Sequence, residues 1–371
     1  MKAVTLIIVL VTLSLSDFAQ TTNDVLNLLI KNKTVTQEQA DEVRADAAIK
    51  QQEQDANKKS FTISATRPIQ LAGYTQVRYQ FLQQVGKIDG FDIRRARLDL
   101  QGKLNPYFSY KLQADFAGSP KLIDAYAEIK IKDYFNITVG ESKIPFSYEN
   151  LMSDSKLELA DRALVVEALS SHRTDVIGGN QNGRDLGIQV GGDFVKYKNR
   201  YLFDYKLGLF NGAGININDN NNNKDIAGRL IAHPVIGLNI GGSFYSGTAF
   251  YGTPTAGNHD RNRVGAEINY ELKRFLVRSE YITGKDGALK KEGWYSQVGY
   301  FVIPTKLQFI LRYDTYDPNT AITKNITTNY VFGGAYNFNN WSRIQASFAV
   351  VKKESATKTN NIGVIQYQIS F

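Results

Sequence analysis

Residues 123–131 read Ile123-Asp124-Ala125-Tyr126-Ala127-Glu128-Ile129-Lys130-Ile131. Odd positions are apolar, and even positions are charged or carry a polar tip. A period of two belongs to a β-strand with one face against an apolar medium and the other against water. At the helical period of 3.6 the same residues would mix on every face. The alternation recurs on both sides of this stretch. Upstream, Ala96, Leu98, Leu100 and Leu104 oppose Arg95, Arg97, Asp99, Gln101 and Lys103, with Arg94 on the apolar parity. Before that, Ile69, Leu71, Val77, Tyr79 and Phe81 oppose Gln70, Tyr74, Gln76, Arg78 and Gln80.

Extended along the chain, the pattern predicts sixteen strands near 69–82, 91–104, 107–117, 122–132, 134–143, 185–195, 200–210, 226–233, 236–246, 262–272, 273–283, 293–303, 305–315, 327–338, 341–352 and 361–371. Connections alternate between short turns and longer loops, and 144–184 is the longest insertion. An even number of roughly ten-residue strands, turned tightly at one end and loosely at the other, is the layout of a bacterial outer-membrane barrel. A soluble sandwich has no need of sixteen consecutive up-and-down strands, and no four-strand blade period marks a propeller. The expected fold is therefore all-β: a sixteen-stranded antiparallel transmembrane β-barrel with a short N-terminal periplasmic helical segment. Apolar faces would meet lipid and polar faces would line the lumen. The chain ends Tyr367-Gln368-Ile369-Ser370-Phe371, placing Tyr367, Ile369 and Phe371 on the lipid face. It looks like the terminal aromatic signal that such barrels present to their assembly machinery.

Composition agrees. The 371 residues include 21 Tyr, 20 Phe and 30 Gly, which favour strands, turns and aromatic girdles, and carry a formal charge of +8. With no cysteine there is no disulfide or thiolate chemistry. Met1 and Lys2 precede an apolar run from Ala3 to Leu15, too short to span a bilayer comfortably, so residues 1–19 read as a signal peptide cleaved near Ala19–Gln20, although Asp17 suits the site poorly. Residues 20–60 are polar and helical, with Thr36-Gln37-Glu38-Gln39 fitting a capping box. Two readings stand for them: a solvated periplasmic tether, or part of a weak self-associating coiled coil.

Several segments resemble the phosphate-selective porin O and P family. Phe91-Asp92-Ile93-Arg94-Arg95-Ala96-Arg97-Leu98 looks like its arginine-rich second strand. Gly140-Glu141-Ser142-Lys143-Ile144-Pro145-Phe146, followed by Glu149, is similar to the segment before its long loop, and Gly183-Arg184-Asp185-Leu186-Gly187-Ile188-Gln189 to the strand after it. Weaker matches continue through Arg312-Tyr313-Asp314 to the Gly334–Asn340 stretch. The resemblance implies a sixteen-stranded porin, usually a homotrimer, that passes small anions, with phosphate and polyphosphate as candidate solutes.

A barrel of this size leaves an aqueous lumen unless something fills it. The 144–184 insertion is the third long loop. It carries Ser155-x-x-Glu158, a second capping box, and Leu157, Ala160, Leu164 and Ala168 at helical spacing, so it is expected to fold inward as an amphipathic helix and narrow the channel. Alternation assigns fourteen basic and eleven acidic residues to the lumen, Lys206 and Arg343 among the basic ones. The expected pore-lining, anion-binding set is Arg78, Arg95, Arg97, Lys103, Lys111, Arg229, Arg263, Arg278 and Arg312 on the wall, with Arg162, Arg173 and Arg184 from the loop. Arg95 and Arg97, two residues apart on one face, would begin a ladder; guanidinium stays charged and grips oxyanions in a fork.

Other chemistry finds little support. His172, His233 and His259 show no metal-ligand spacing. The Asn216–Asp225 run reads as a solvated loop before a Ca²⁺ site. No cofactor and no catalytic residues are expected, and the basic charge lies along strands instead of in a nucleic-acid patch. The expected partners are outer-membrane lipid, small anionic solutes, the barrel-assembly machinery and two further copies of the chain, in the outer membrane of a Gram-negative bacterium. The competing reading is a structural or adhesive barrel closed by its long loop, without transport; an enzyme is a distant third.

Overall fold

The computed structural model describes residues 22–371 except 33, 59–60, 63–68, 84–85, 179–180, 253–255 and 357–359; the expected signal peptide, 1–19, lies outside the described residues. Residues up to Gln51 and the chain from Gln52 onward are separate units. The first holds helix α1 (Thr22–Lys31) and most of α2 (Gln37–Lys58). Gln39 N–H donates to Thr36 Oγ1 at 3.2 Å, and Thr36 N–H to Gln39 Oε1 at 3.0 Å, a reciprocal capping box. Among the described residues here Leu26, Ala40 and Ala45 are buried, and Arg44 reaches Asn27 Oδ1 at 2.5 Å. No helix among the described residues is long and apolar enough to cross a membrane.

The second unit is the barrel. After the two-residue β1 (Phe61–Thr62), its strands are β2 (Ile69–Leu82), β3 (Gly90–Lys103), β4 (Phe108–Asp115), β5 (Lys121–Lys132), β6 (Phe135–Lys143), β7 (Arg184–Tyr197), β8 (Arg200–Phe210), β9 (Asp225–Ala232), β10 (Leu238–Tyr251), β11 (Gly257–Leu272), β12 (Phe275–Asp286), β13 (Leu289–Ile303), β14 (Leu307–Asp317), β15 (Thr327–Asn337), β16 (Ser342–Lys353) and β17 (Ile362–Ser370). Each of β2–β17 pairs antiparallel with its successor, and β17 pairs with β2, so the sheet has no free edge. The burial pattern is inverted relative to a soluble protein. Leu98, Leu112, Ile188, Leu207, Leu311 and Phe348 are exposed on the outer face, while Arg95, Arg97, Gln297 and Arg278 are buried inside.

The seam is sealed by the last residue. Phe371 N–H donates to the Gly73 carbonyl at 3.0 Å, and Gly73 N–H returns the bond to Phe371 at 3.0 Å. A Cβ on Gly73 would stand 2.5 Å from the Phe371 ring and 2.6 Å from the Arg97 carbonyl oxygen, so only glycine admits the ring here. Tyr367, Ile369 and Phe371 all lie on the outer face, partly exposed.

Three local expectations are corrected. Arg94 does not face lipid: Gln76 pairs with Arg95 and Val77 with Ile93, leaving Arg94 as the extra residue of a β-bulge, and its side chain turns inward beside that of Arg95. A second bulge drives Ile123 inward to full burial, because Gln113 pairs with Asp124 and Ala114 with Leu122. The expected loop helix is also absent as such. Among the described residues of 144–184 the only helices are the short α3 (Tyr148–Leu151) and α4 (Leu164–Leu169). The Ser155-x-x-Glu158 box does not form: Glu158 is held by Arg278, and Ser155 Oγ pairs with Ser153.

Candidate functional site

The long connection between β6 and β7 leaves the rim through a staple built on Asn150. Its side-chain amide donates to the carbonyls of Ile144 and Phe146 at 3.2 and 3.0 Å, and its Oδ1 meets His172 Nε2 at 2.9 Å. Burial, aided by Arg162, pushes the His172 imidazole well below its usual range, so it is neutral. Lys143 adds bonds to the carbonyls of Asn150 and Met152 at 2.7 and 2.5 Å. The segment then crosses to the far wall. Tyr148 and Glu149 N–H donate to Glu280 on β12, both at 2.8 Å. Gln345 on β16 donates to the carbonyls of Leu157 and Glu158, and Gln368 on β17 to that of Ser155. Leu164 N–H donates to Asp314 on β14 at 2.9 Å. Apolar side chains fill what remains: Ile144, Phe146, Val165, Val166 and Leu169 pack with Phe210, Ala227, Tyr245, Ile282 and Tyr295, and Leu159 packs with Leu276, Ile310 and Val331.

The electrostatics of this crossing were not legible in the sequence. The loop brings six carboxylates, and each is bound. Asp154 is 3.1 Å from Arg95, 2.7 Å from Arg97 and 2.7 Å from the loop's own Arg162. Asp161 meets Arg78 at 3.4 Å, Arg94 at 3.3 Å and Arg173 at 3.5 Å. Glu158 chelates Arg278 at 2.9 and 3.0 Å. Asp175 holds Arg261 at 2.9 Å and Arg263 at 3.6 Å. Glu149 lies 3.5 Å from Arg312, and Glu167 takes Arg173 at 2.9 Å. Eight wall arginines, Arg78, Arg94, Arg95, Arg97, Arg261, Arg263, Arg278 and Arg312, are therefore tied to one loop. Burial pushes the Asp154 and Asp161 carboxyls up, but the surrounding guanidiniums outweigh it and hold both below the usual carboxylate range.

That balance gives a prediction. A carboxylate whose pKa is lowered in the docked state stabilises docking above its free value, about 3.9 for aspartate, and loses that contribution only as pH falls further. The share of docking held by Asp154 and Asp161 is therefore expected to be the same at pH 7 and pH 5, so the ratio of single-channel conductance in Asp154→Asn to that of wild type should be constant between these values. A stepwise change of this ratio in that window would show that these carboxylates do not hold the loop.

The residues expected to line a path divide accordingly. Arg78, Arg95, Arg97, Arg263, Arg278 and Arg312 are inside the barrel, buried and paired with the loop or with neighbouring acids; Arg78 also chelates Asp92 at 2.7 and 2.9 Å. Arg162 is buried within the loop, bonding the Glu149 and Met152 carbonyls as well as Asp154. Arg173 is 40% exposed. Arg184 chelates Asp124 at 2.5 and 3.2 Å. Lys111 bridges Asp99 at 3.1 Å and Asp124 at 3.3 Å, and Arg229 is gripped by Glu267. Lys103 is exposed at the turn end of β3. Arg261 escaped the sequence reading because β11 starts at Gly257, several residues before the expected strand. Among the described residues no group of His, Asp or Glu is arranged to hold a metal ion.

Comparison with known proteins follows this geometry. A family model described as phosphate-selective porin O and P matches residues 69–369. A search of curated proteins returns no significant match. Solved structures of similar fold include an anion-selective porin from Comamonas acidovorans (13% identity, TM-score 0.61, covering 82% of this chain and 100% of that one). The trimer form of OmpT, an outer membrane protein of Vibrio cholerae, is also similar (13% identity, TM-score 0.56, 82% and 99%). A third is the outer membrane channel DcaP of Acinetobacter baumannii (12% identity, TM-score 0.54, 84% and 99%).

Proposed function

This chain belongs to the phosphate-selective porin O and P family, outer-membrane proteins of Gram-negative bacteria, and from that premise we propose that it is a passive diffusion channel for small inorganic anions, constricted by its third long loop. The observation that carries the reading is the crossing of the barrel by 144–184. A segment bonded to ten strands of the inner wall sets the cross-section, and a narrow section decides selectivity. The excess of positive charge over the membrane-spanning region favours anions. Phosphate and polyphosphate follow as candidate solutes from the family, and homotrimeric assembly from the trimeric neighbour. The 1–19 leader directs export, the 20–60 helices occupy the periplasm, and Tyr367, Ile369 and Phe371 address the barrel-assembly machinery.

The test is the reversal potential of purified protein in a planar bilayer under a KCl gradient, for wild type and for a deletion of 153–178. Wild type is expected to prefer chloride. The deletion removes five of the six carboxylates outright, Asp154, Glu158, Asp161, Glu167 and Asp175. It should raise both conductance and anion preference, because the wall arginines they cover become exposed. The loop's dense apolar packing favours one competing reading, a structural barrel closed by its loop. Electrical silence of correctly folded wild type would support that reading and reject the porin.

A further inference from the structure

We propose that Lys206, on the inner wall of β8, is the selectivity-determining cation of the passage, a role the paired arginines do not perform; this rests on the anion-channel reading above. The loop distributes its bonds unevenly. Among the described residues, hydrogen bonds and ion pairs from 146–178 reach β2, β3, β6, β10–β14, β16 and β17, and none reaches β4, β5, β7, β8 or β9. On β8 and β9 the loop's apolar cluster takes in the loop-end residues Phe210 and Ala227, and deeper in the wall the Tyr148 ring lies 5.9 Å from the Arg229 guanidinium without touching Lys206. Lys206 lies four residues from Phe210, toward the middle of its strand and on the same inward parity.

Lys206 differs from the arginines in three respects. Its side chain is exposed although it points into the barrel, so it meets the water of the lumen. Among the described residues no carboxylate pairs with its ammonium. Asp204, its neighbour on the same face, is taken by His233 Nε2 at 2.8 Å and lies 3.9 Å from Arg229. Glu267 is occupied by Arg229. Asp193 and Glu128 also face this wall, and neither forms an ion pair with it. Finally, the register sets Lys206 directly opposite Arg229. Arg229 is already compensated by Glu267 and brings Lys206 no counter-ion, so an entering anion supplies one. On the other side Lys206 pairs with Gly191, where a Cβ would stand 3.0 Å from Lys206 Cγ. The bare backbone lets the lysine stem lie flat and leaves the ammonium free to follow a passing ion. A compact, hydrated ammonium on a flexible stem suits transient contact, whereas a chelated guanidinium is already saturated.

The experiment compares wild type with Lys206→Gln and Lys206→Glu in planar bilayers, with Lys290→Gln at the exposed tip of the β12–β13 hairpin as a control. In a gradient around 0.1 M KCl, Lys206→Gln is expected to lower the chloride-to-potassium permeability ratio about threefold, and Lys206→Glu further still. The difference should shrink near 1 M KCl, where the Debye length falls to about 3 Å. Inorganic phosphate should inhibit chloride current less in Lys206→Gln. If wild type prefers anions and Lys206→Gln keeps the same ratio and phosphate inhibition, the assignment is overturned while the porin reading stands. If wild type itself shows no anion preference, the porin reading fails first.

Discussion

Asp154→Asn is expected to release the front of the long loop, raise single-channel conductance and make the open current noisy. The substitution keeps shape and removes charge. Arg95, Arg97 and Arg162 all point at this one carboxylate, and all three are at least nine-tenths buried. Breaking a buried ion pair by removing one partner costs about 3–5 kcal/mol, because the remaining charges keep their desolvation penalty. Here three cations lose one anion, and they also repel one another. The cheapest relief is for the segment around Asp154 to leave the wall and let water in. Arg95 and Arg97 then face the lumen, so anion preference should rise together with conductance. The heat-modifiable mobility of the folded barrel should stay near normal, since the ladder itself is untouched. Quiet channels of wild-type conductance would show that Asp154 is dispensable for holding the loop.

Gly73→Val is expected to impair barrel closure more than any conservative change at Phe371. The new side chain would need the space of both the Phe371 ring and the Arg97 carbonyl oxygen. Overpacking of a fitted site costs about 1–3 kcal/mol, and displacing the ring forfeits a further ~1.5–3 kcal/mol of aromatic burial. Both losses fall on the β17–β2 seam, where strands from opposite ends of the chain must meet. Outer-membrane yield and thermal stability should drop, with normal ion selectivity in whatever inserts. Phe371→Leu, which keeps an apolar group over Gly73, should show a milder version. Full yield of Gly73→Val would mean that the terminal ring does not seat there during assembly.

The architecture could be read from alternation because the lipid and the lumen impose opposite demands on adjacent residues of every strand. That is why Ile123–Ile131 alone decided for strand, and why the sixteen strand positions fall within a few residues of those expected. The same rule failed where the period of two is interrupted. Arg94 was assigned outward by parity, yet a bulged residue resets parity for everything on its loop side. Arg261 was missed because His259 and Asp260 resemble loop sequence, although β11 continues through them. The loop's six carboxylates were visible as letters. Their partners were not, because an ion pair such as Arg312 with Glu149 joins residues far apart in the chain, and no local pattern records it. Counting fourteen basic residues on the lumen face therefore overstated the charge that a solute meets.

The reach of the long loop also orders events during biogenesis. Its partners are split between strands made before it and strands made long after: Gln345 lies 188 residues from Leu157, and Gln368 lies 213 residues from Ser155. Contacts of such separation form late, once the intervening chain is fixed. Until β11–β17 stand in the sheet, Asp175, Glu158 and the Leu164 amide have no wall to meet. The nascent barrel thus passes through a wide, ungated stage, and settling of the loop is a finishing step that only a completed cylinder can support. A stalled or truncated product would leave a hole in the permeability barrier, which gives the cell a physical reason to degrade such products quickly.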